Sequence, residues 1–371
     1  MAKLDFNKLP VTTLFGSRWS NFQNATKGKK IDKEYQTKYA LTKGLCGLLS
    51  VTHPIENRIY KKKVEQLEMK NDPVFILGHW RSGTTFVHNV LSKDKNFGYN
   101  TTYQTIFSSA MLFGQAMFKS VMGSVMPDKR PTDNMELNVD QPQEEEFALS
   151  NLTTASFYNF WFFPQDTLEY CEKYLLMNDI SEKERAEFRR EFQRLVKTAL
   201  YNTSGNTFLS KNPPHTGRVN EIIELYPNAK FIYLVRNPYT VFESTRSFFT
   251  NTIQPLKFQN ISHHQLEENI IEVYKRLYNK YEADKALIPE GNLIEVRFED
   301  FEADAFNQTA EIYKTLNLPD FEKAAPAIKD YIGEKKGHKK TRYDYDKQTI
   351  SKVNENWAFA IDQWGYEKIE G

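Results

Sequence analysis

A glycine- and hydroxyl-rich loop at residues 78–85, which reads GHWRSGTT, carries the clearest chemical signal in the sequence. It follows a short apolar run that ends at Leu77, and apolar residues then recur at helical spacing. This order predicts a strand, a loop and the start of a helix, where unpaired backbone N–H groups attract anions. Gly83 allows the backbone to approach the anion closely. The loop therefore predicts an anion site formed by Arg81, Ser82, Gly83, Thr84 and Thr85.

The loop departs from the nucleotide-binding P-loop pattern G-x-x-x-x-G-K-[ST] at one informative position. Gly78, Gly83 and Thr85 match the pattern, but Thr84 stands where lysine is expected. Kinases and ATPases use that lysine, together with magnesium, on the β- and γ-phosphates. Here the cation comes earlier, at Arg81, which favours a smaller anion than a triphosphate. A P-loop kinase stays open as an alternative.

Two later segments of strand character end in cations. Residues 207–210 predict a strand that ends at Lys211, and residues 231–235 predict a strand that ends at Arg236. Open α/β sheets bind their ligands at the carboxyl ends of their strands. Ser244 follows Arg236 by eight residues, on the helix predicted next. An arginine fork and a hydroxyl together suit a phosphate monoester.

Two glutamates and a histidine are candidates for a general base. Deprotonating an alcohol as it attacks requires a carboxylate or an imidazole within hydrogen-bond reach. Residues 144–146 are three glutamates in the first turn of a helix predicted to begin at Pro142. Because successive helical residues point about 100° apart, at most two of them can face a site. Glu145 is the first choice and Glu146 the second, while stabilisation of the helix dipole is the alternative role. His215 is a further candidate.

These motifs, in this order, resemble those of the sulfotransferases that use 3′-phosphoadenosine 5′-phosphosulfate (PAPS). RSGTT after an apolar strand is similar to the family's 5′-phosphosulfate loop. Arg236 with Ser244 is similar to the pair that grips the 3′-phosphate, and Lys211 resembles the lysine that approaches the bridging oxygen. A P-Q-E-x-E-F-A-L element like that around Glu145 recurs in bacterial members.

The resemblance covers the chain from about residue 72 onward and implies both a fold and a reaction. We expect an α/β domain with a P-loop NTPase-like parallel sheet flanked by helices and with helical insertions. The implied reaction moves a sulfuryl group from PAPS, the co-substrate, to a hydroxyl of an acceptor, with no metal required. A basic C-terminal segment often covers the 3′-phosphate in the family, which implies further donors at Lys339, Lys340 and Arg342.

An aromatic and methionine-rich stretch, residues 95–163, indicates the acceptor class. Most of it is expected to be core, but its polar breaks at residues 100–104 suit the wall of an apolar pocket. A small apolar hydroxylated acceptor, such as a sterol, lipid alcohol or phenol, is therefore expected. A sugar sulfotransferase and a non-catalytic nucleotide-binding protein stay open as alternatives.

The composition of the chain further limits its possible partners and its location in the cell. The 371-residue chain has a formal net charge of +1, which argues against a nucleic-acid partner. Its two cysteines, Cys46 and Cys171, lie in no metal or redox spacing, as is usual in a reducing compartment. The sequence contains no run of about 20 apolar residues, so we expect a cytoplasmic protein. A homo-oligomer stays open.

We divide the chain into an N-terminal helical accessory segment, residues 1–70, and a sulfotransferase α/β domain, residues 71–371. The first segment carries no recognisable motif, and a helical layer on the core is its simplest interpretation. Leu45, Leu48 and Leu49 share one helical face with lysines nearby. A peripheral membrane contact through this segment is therefore the alternative.

Overall fold

The computed structural model describes residues 10–126, 138–335 and 344–370. The strands within these residues are β1 (Val74–Leu77), β2 (Phe97–Gly98), β3 (Thr207–Lys211), β4 (Lys230–Val235) and β5 (Leu293–Arg297). The α-helices are α1 (Trp19–Thr26), α2 (Gln36–Ser50), α3 (Thr52–Glu65), α4 (Thr84–Leu91), α5 (Thr102–Ile106), α6 (Gln115–Val125), α7 (Glu145–Leu152), α8 (Thr167–Tyr170), α9 (Glu182–Thr203), α10 (Val219–Leu225), α11 (Pro238–Leu256), α12 (His263–Asp284), α13 (Phe298–Ala303), α14 (Ala305–Thr315), α15 (Phe321–Lys335), α16 (Lys347–Asn356) and α17 (Ala358–Gln363).

The strands form one parallel sheet in the order β2-β3-β1-β4-β5. β1 lies at the centre, where Val74 is opposite Leu209 of β3 and Lys230 of β4. Short apolar strands buried on both faces are typical of parallel sheets covered by helices. Because the strands run in one direction, the loops after β1, β3 and β4 leave from the same edge of the sheet. The predicted α/β fold with a parallel sheet flanked by helices is confirmed.

The chain divides into two compact units. The first, called the helical unit, comprises residues 1–69, 99–204 and 248–266. The second, called the sheet unit, comprises residues 70–98, 205–247 and 267–371 and contains all five described strands. No described helix combines the length and apolar composition needed to cross a bilayer.

The two faces of the sheet are covered differently within the sheet unit. On one face, Val74, Ile76 and Ile232 pack with apolar side chains from α4, α13, α14 and α15. On the other face the contacts are aromatic, since the ring of Phe75 stacks on that of Phe231 with 5.7 Å between ring centres. Successive residues of each strand thus bury their side chains on opposite faces of the sheet. This packing on both faces fixes the positions of the strand ends.

In the helical unit, the aromatic stretch forms core. Phe157, Tyr158, Phe160, Trp161, Phe162 and Phe163 are each at most 1% exposed. Trp161 packs edge-to-face on Phe249 at 4.9 Å between ring centres. The expectation that most of this stretch is core is confirmed.

Helix α7 begins at Glu145, three residues later than the predicted start at Pro142. Pro142 instead forms an isolated antiparallel bridge with Thr101. The next amide, of Gln143, donates to the carbonyl oxygen of Asn100 at 2.9 Å. A long-range backbone pairing therefore keeps these residues extended and delays the helix.

Candidate active site

The loop after β1 turns sharply into α4, and its backbone requires glycine at two positions. Gly78 has φ +134° and Gly83, the N-cap of α4, has φ +89°. A Cβ atom at Gly83 would lie 2.0 Å from the ring of Phe298, and one at Gly78 would lie 2.6 Å from the carbonyl oxygen of Leu234. Both the left-handed backbone and these close approaches exclude a side chain.

The predicted anion ligands of this loop surround the N-terminus of α4. Ser82 and Thr84 are 3% and 4% exposed, and Thr85 is half-buried. The first N–H groups of an α-helix have no partner within the helix, and the helix dipole makes this end positive. The loop therefore places hydroxyls and amides together where an anion is favoured.

Arg81, Ser244 and Arg236 form a hydrogen-bonded network next to this loop. Nε of Arg81 donates to Oγ of Ser244 at 2.8 Å. Nη1 of Arg236 donates to the carbonyl oxygen of Arg81 at 3.0 Å, and its guanidinium lies 4.7 Å from the ring centre of Phe298. Arg81 has φ +70°, an uncommon conformation for a residue with a side chain, which the bond from Arg236 helps to hold. Arg81, predicted as part of the loop's anion site, is thus brought together with Arg236 and Ser244, which were predicted as a pair for a second anion.

Arg236 is positioned by the residues that follow it. Oδ1 of Asn237 accepts from the amides of Tyr239 at 3.0 Å and Thr240 at 3.3 Å, and so caps the N-terminus of α11. The amide of Asn237 donates to Oε1 of Glu299 at 3.0 Å. Arg236 therefore leaves the end of β4 in a fixed direction.

Lys211 is the last residue of β3, lies opposite Ile76 of β1 and is 1% exposed. The 3₁₀ helix Pro213–Gly217 follows it. There, Oγ1 of Thr216 accepts from the amide of Gly78 at 2.8 Å. This bond ties the loop after β3 to the loop after β1. Sequence reasoning missed Thr216, because a hydroxyl in a proline-rich turn carries no local signal for a contact with another strand's loop.

The two histidines near the loops are buried. The ring of His215 contacts Phe75 edge-to-face at 5.8 Å, which places it against the aromatic face of the sheet. His79 donates from Nδ1 to the carbonyl oxygen of Trp80 at 2.8 Å and contacts the ring of Tyr274 at 4.9 Å. Burial lowers the pKa of His79 to about 3, so its imidazole is neutral near pH 7.

A narrow cleft lies beside the loop in the sheet unit. Tyr233, Tyr274 and Tyr278 line its aromatic part, while Ser82 and Arg236 contribute polar groups. Tyr233 and Tyr274 are each 5% exposed and stack on Tyr281 and Trp357, both at 3.8 Å between ring centres, so the aromatic side of the cleft is closely packed.

The candidate bases Glu145 and Glu146 lie in the first turn of α7, in the helical unit, and both are fully buried. Oε1 of Glu146 accepts from Oγ of Ser156 at 2.9 Å and from the amide of Phe157 at 2.8 Å. Glu146 therefore anchors the 3₁₀ turn Phe157–Trp161. The choice of Glu145 as the base stays a prediction.

The remaining predicted donors, Lys339, Lys340 and Arg342, lie outside the described residues. Among the residues that the structure does describe, no group of three or more His, Cys, Asp or Glu side chains is arranged to hold a metal ion.

Comparison with known proteins identifies the family. The model of the sulfotransferase family matches residues 73–323, more than half of the chain. The omega-hydroxy-beta-dihydromenaquinone-9 sulfotransferases of Mycobacterium tuberculosis and Mycobacterium bovis are each 29% identical over 310 residues, which cover 84% of this chain and 79% of theirs.

Two solved structures have the same fold. The sulfotransferase STF1 from Mycobacterium tuberculosis has a TM-score of 0.66 at 16% identity and covers 94% of this chain and 93% of its own. The sulfotransferase STF9 from Mycobacterium avium has a TM-score of 0.66 at 14% identity and covers 98% of this chain and 99% of its own. Together with the family match across the loops after β1, β3 and β4, these findings show that the chain belongs to the sulfotransferase family.

Proposed function

We propose that this sulfotransferase moves the sulfuryl group of PAPS to the hydroxyl of an apolar lipid alcohol. The observation that carries the proposal is the network of Arg81, Ser244 and Arg236 beside a phosphate loop with threonine in place of the P-loop lysine. Such a site offers two cations and several hydroxyls without the group that kinases use on a triphosphate.

The donor is held at its two phosphates. Donors of the loop at residues 81–85 and the N-terminus of α4 bind the 5′-phosphosulfate. Arg236 and Ser244 bind the 3′-phosphate. A hydroxyl can accept one hydrogen bond while it donates another, so Ser244 can accept from Arg81 and donate to a phosphate oxygen. A guanidinium has five N–H donors, so Arg236 can hold the Arg81 carbonyl oxygen and a phosphate oxygen at the same time.

The transfer step breaks one S–O bond and forms another. The acceptor oxygen attacks sulfur in line while the bond from sulfur to the bridging oxygen breaks, and 3′-phosphoadenosine 5′-phosphate leaves. Lys211 stabilises the negative charge that develops on that phosphate. Glu145 takes the proton of the acceptor hydroxyl. Sulfuryl oxygens carry less charge than phosphoryl oxygens, so we propose that these donors suffice without a metal.

The acceptor class is supported by the relatives. The mycobacterial sulfotransferases are named for sulfation of a hydroxylated menaquinone, which is an apolar molecule. A long-chain lipid alcohol is therefore our first choice, ahead of a sterol or a phenol.

A direct transfer assay tests the proposal. Purified protein is incubated with sulfur-labelled PAPS and a panel of lipid alcohols, sterols, phenols and sugars, with and without magnesium. We expect label on an apolar alcohol without magnesium, and loss of transfer in Arg236→Ala. Hydrolysis of ATP that depends on magnesium would support a kinase instead. Tight binding of 3′-phosphoadenosine 5′-phosphate with no transfer to any acceptor would support a non-catalytic nucleotide-binding protein.

A further inference from the structure

Helices α2 and α3 of the helical unit each present a row of exposed apolar side chains. Leu41, Leu45 and Leu48 follow i, i+4, i+7 spacing on α2, and Ile55 and Ile59 follow i, i+4 spacing on α3. Such spacing places the side chains of each helix on one side. We call this surface the α2–α3 face; its exposed fractions are 45% for Leu41, 39% for Leu45, 66% for Leu48, 62% for Val51, 42% for Ile55 and 41% for Ile59.

The opposite sides of these helices attach them to the rest of the unit. Thr42 and Cys46 of α2 are fully buried, and Glu56 of α3 is 3% exposed. Oε2 of Glu56 accepts from the amides of Leu112 at 3.0 Å and Phe113 at 2.9 Å. On these sides the helices bury Thr42, Cys46, Glu56 and also Val64, while the apolar side chains of the α2–α3 face are exposed. Exposed apolar rows of this size mark interaction surfaces.

Basic residues outnumber acidic ones on these helices. Between residues 41 and 65 the sequence has two acidic residues: Glu56, which is buried, and Glu65, which is exposed and forms an ion pair with Lys61 at 3.8 Å. The same segment has five basic residues, and all of them are exposed: Lys43, Arg58, Lys61, Lys62 and Lys63. Lys62 follows Ile55 by seven residues, so it extends the same side of α3. The whole chain has a net charge of only +1, so this concentration of cations is local.

We propose that the α2–α3 face binds peripherally to the surface of an anionic lipid bilayer. Apolar side chains flanked by exposed lysines match an interface in which acyl chains lie beneath anionic headgroups. A second copy of this chain fits less well, because a two-fold contact through this face would bring the exposed Arg58 and Lys62 of both copies together. The proposal rests on this surface alone. It would also bring the enzyme to a membrane-dissolved acceptor of the class proposed above.

Vesicle co-sedimentation of the full chain tests the proposal. We expect binding to vesicles of phosphatidylcholine that contain phosphatidylglycerol, and weaker binding to phosphatidylcholine alone. Leu48→Glu and Ile55→Glu should each weaken partitioning by about tenfold or more, because each removes a buried aliphatic side chain from the interface. Leu287→Glu is the matched control, because Leu287 is 54% exposed and lies in the sheet unit. Its partitioning should equal that of the wild type.

The charge contribution has its own test. Lys62→Gln should weaken binding about fivefold on the anionic vesicles and leave binding to neutral vesicles unchanged. Lys314→Gln is the control, since Lys314 is 79% exposed on α14. Equal binding by all variants, with unchanged circular dichroism, would overturn the proposal. A dimer that forms without lipid and is dissociated by Leu48→Glu would also overturn it, in favour of a second copy.

The outcome of the vesicle test does not depend on the outcome of the transfer assay. Leu48→Glu should retain wild-type transfer to an acceptor dispersed in detergent, because no residue of the α2–α3 face is assigned to donor binding or transfer. Failure of transfer in the wild type would leave the vesicle result standing, and failure of vesicle binding would leave the transfer result standing.

Discussion

Gly83→Ala is the substitution whose effect can be worked out most fully from the structure. It introduces two costs at once: a Cβ atom at φ +89° and a contact 2.0 Å from the Phe298 ring. A left-handed backbone costs a non-glycine residue about 1–2 kcal/mol. Overpacking against a buried ring adds about 1–3 kcal/mol. We therefore expect Gly83→Ala to lower the free energy of unfolding by about 2–5 kcal/mol.

Gly291→Ala separates the two costs. Gly291 has φ +81°, but a Cβ atom there would meet nothing within 4 Å. Gly291→Ala should therefore lower the free energy of unfolding only by the cost of the left-handed backbone, about 1–2 kcal/mol. The extra loss in Gly83→Ala measures the close approach of Phe298. In a double variant with Phe298→Leu, the loss should be smaller than the sum of the two single losses.

The same displacement should reach the proposed donor site. The Phe298 ring lies 4.7 Å from the Arg236 guanidinium, so moving the ring moves that cation. Losing one charged hydrogen bond costs about 1.5–3 kcal/mol, or at least about tenfold in Kd for 3′-phosphoadenosine 5′-phosphate. Urea unfolding and titration calorimetry measure both effects. Equal stability of Gly83→Ala and Gly291→Ala, with unchanged binding in both, would refute the reasoning.

Four further substitutions have distinct expected outcomes. Ser244→Ala removes the hydroxyl that accepts from Arg81. It should raise the Kd for 3′-phosphoadenosine 5′-phosphate about tenfold and leave the Kd for adenosine 5′-phosphate nearly unchanged, as measured by calorimetry. An equal rise in both Kd values would contradict a contact between Ser244 and the 3′-phosphate. Burial lowers the pKa of His79 from 6.5 to about 3, so below about pH 7 the unfolded chain takes up a proton that the folded chain excludes. The contribution of His79 to the free energy of unfolding is therefore complete above about pH 7 and declines as the pH falls, by about 2 kcal/mol at pH 5. Urea unfolding of His79→Asn should show a shallower decline between those two pH values, and an unchanged slope would show that another group is responsible. Glu146→Ala removes the carboxylate acceptor of the buried Phe157 amide and the shorter of the two bonds from the Ser156 hydroxyl, and it should cost about 2–4 kcal/mol in urea unfolding. Glu145→Gln should instead slow transfer, while its free energy of unfolding stays within about 1 kcal/mol of the wild-type value. A wild-type rate of transfer by Glu145→Gln would exclude Glu145 as the base.

The parts of the structure that local patterns specify could be predicted from the sequence. The apolar run that ends at Leu77 is β1, and the turn to α4 occurs at Gly83, because strand burial and the backbone freedom of glycine are visible in the sequence itself. Lys211 and Arg236 stand at strand ends for the same reason.

Features that depend on distant segments could not be predicted. The start of α7 is displaced by the bridge between Thr101 and Pro142, which joins residues far apart in the chain. The bond from Gly78 to Thr216 and the contact of Phe298 with Gly83 arise only once neighbouring strands are aligned. Sequence also predicted Arg81 and Ser244 as separate anion ligands, but not their hydrogen bond to each other.

Single-turnover transfer by Lys211→Met tests the central claim most directly. Methionine is similar in length to lysine and suits a position that is 1% exposed, so the fold should be retained. With labelled PAPS and a lipid alcohol, we predict transfer by the wild type and a rate at least about a hundredfold lower in Lys211→Met. The Kd for PAPS, measured without acceptor, should change less than about threefold, since the charge on which Lys211 acts develops only during transfer. An unchanged rate in this variant, or a wild type that neither transfers label nor binds the nucleotide, would contradict the account.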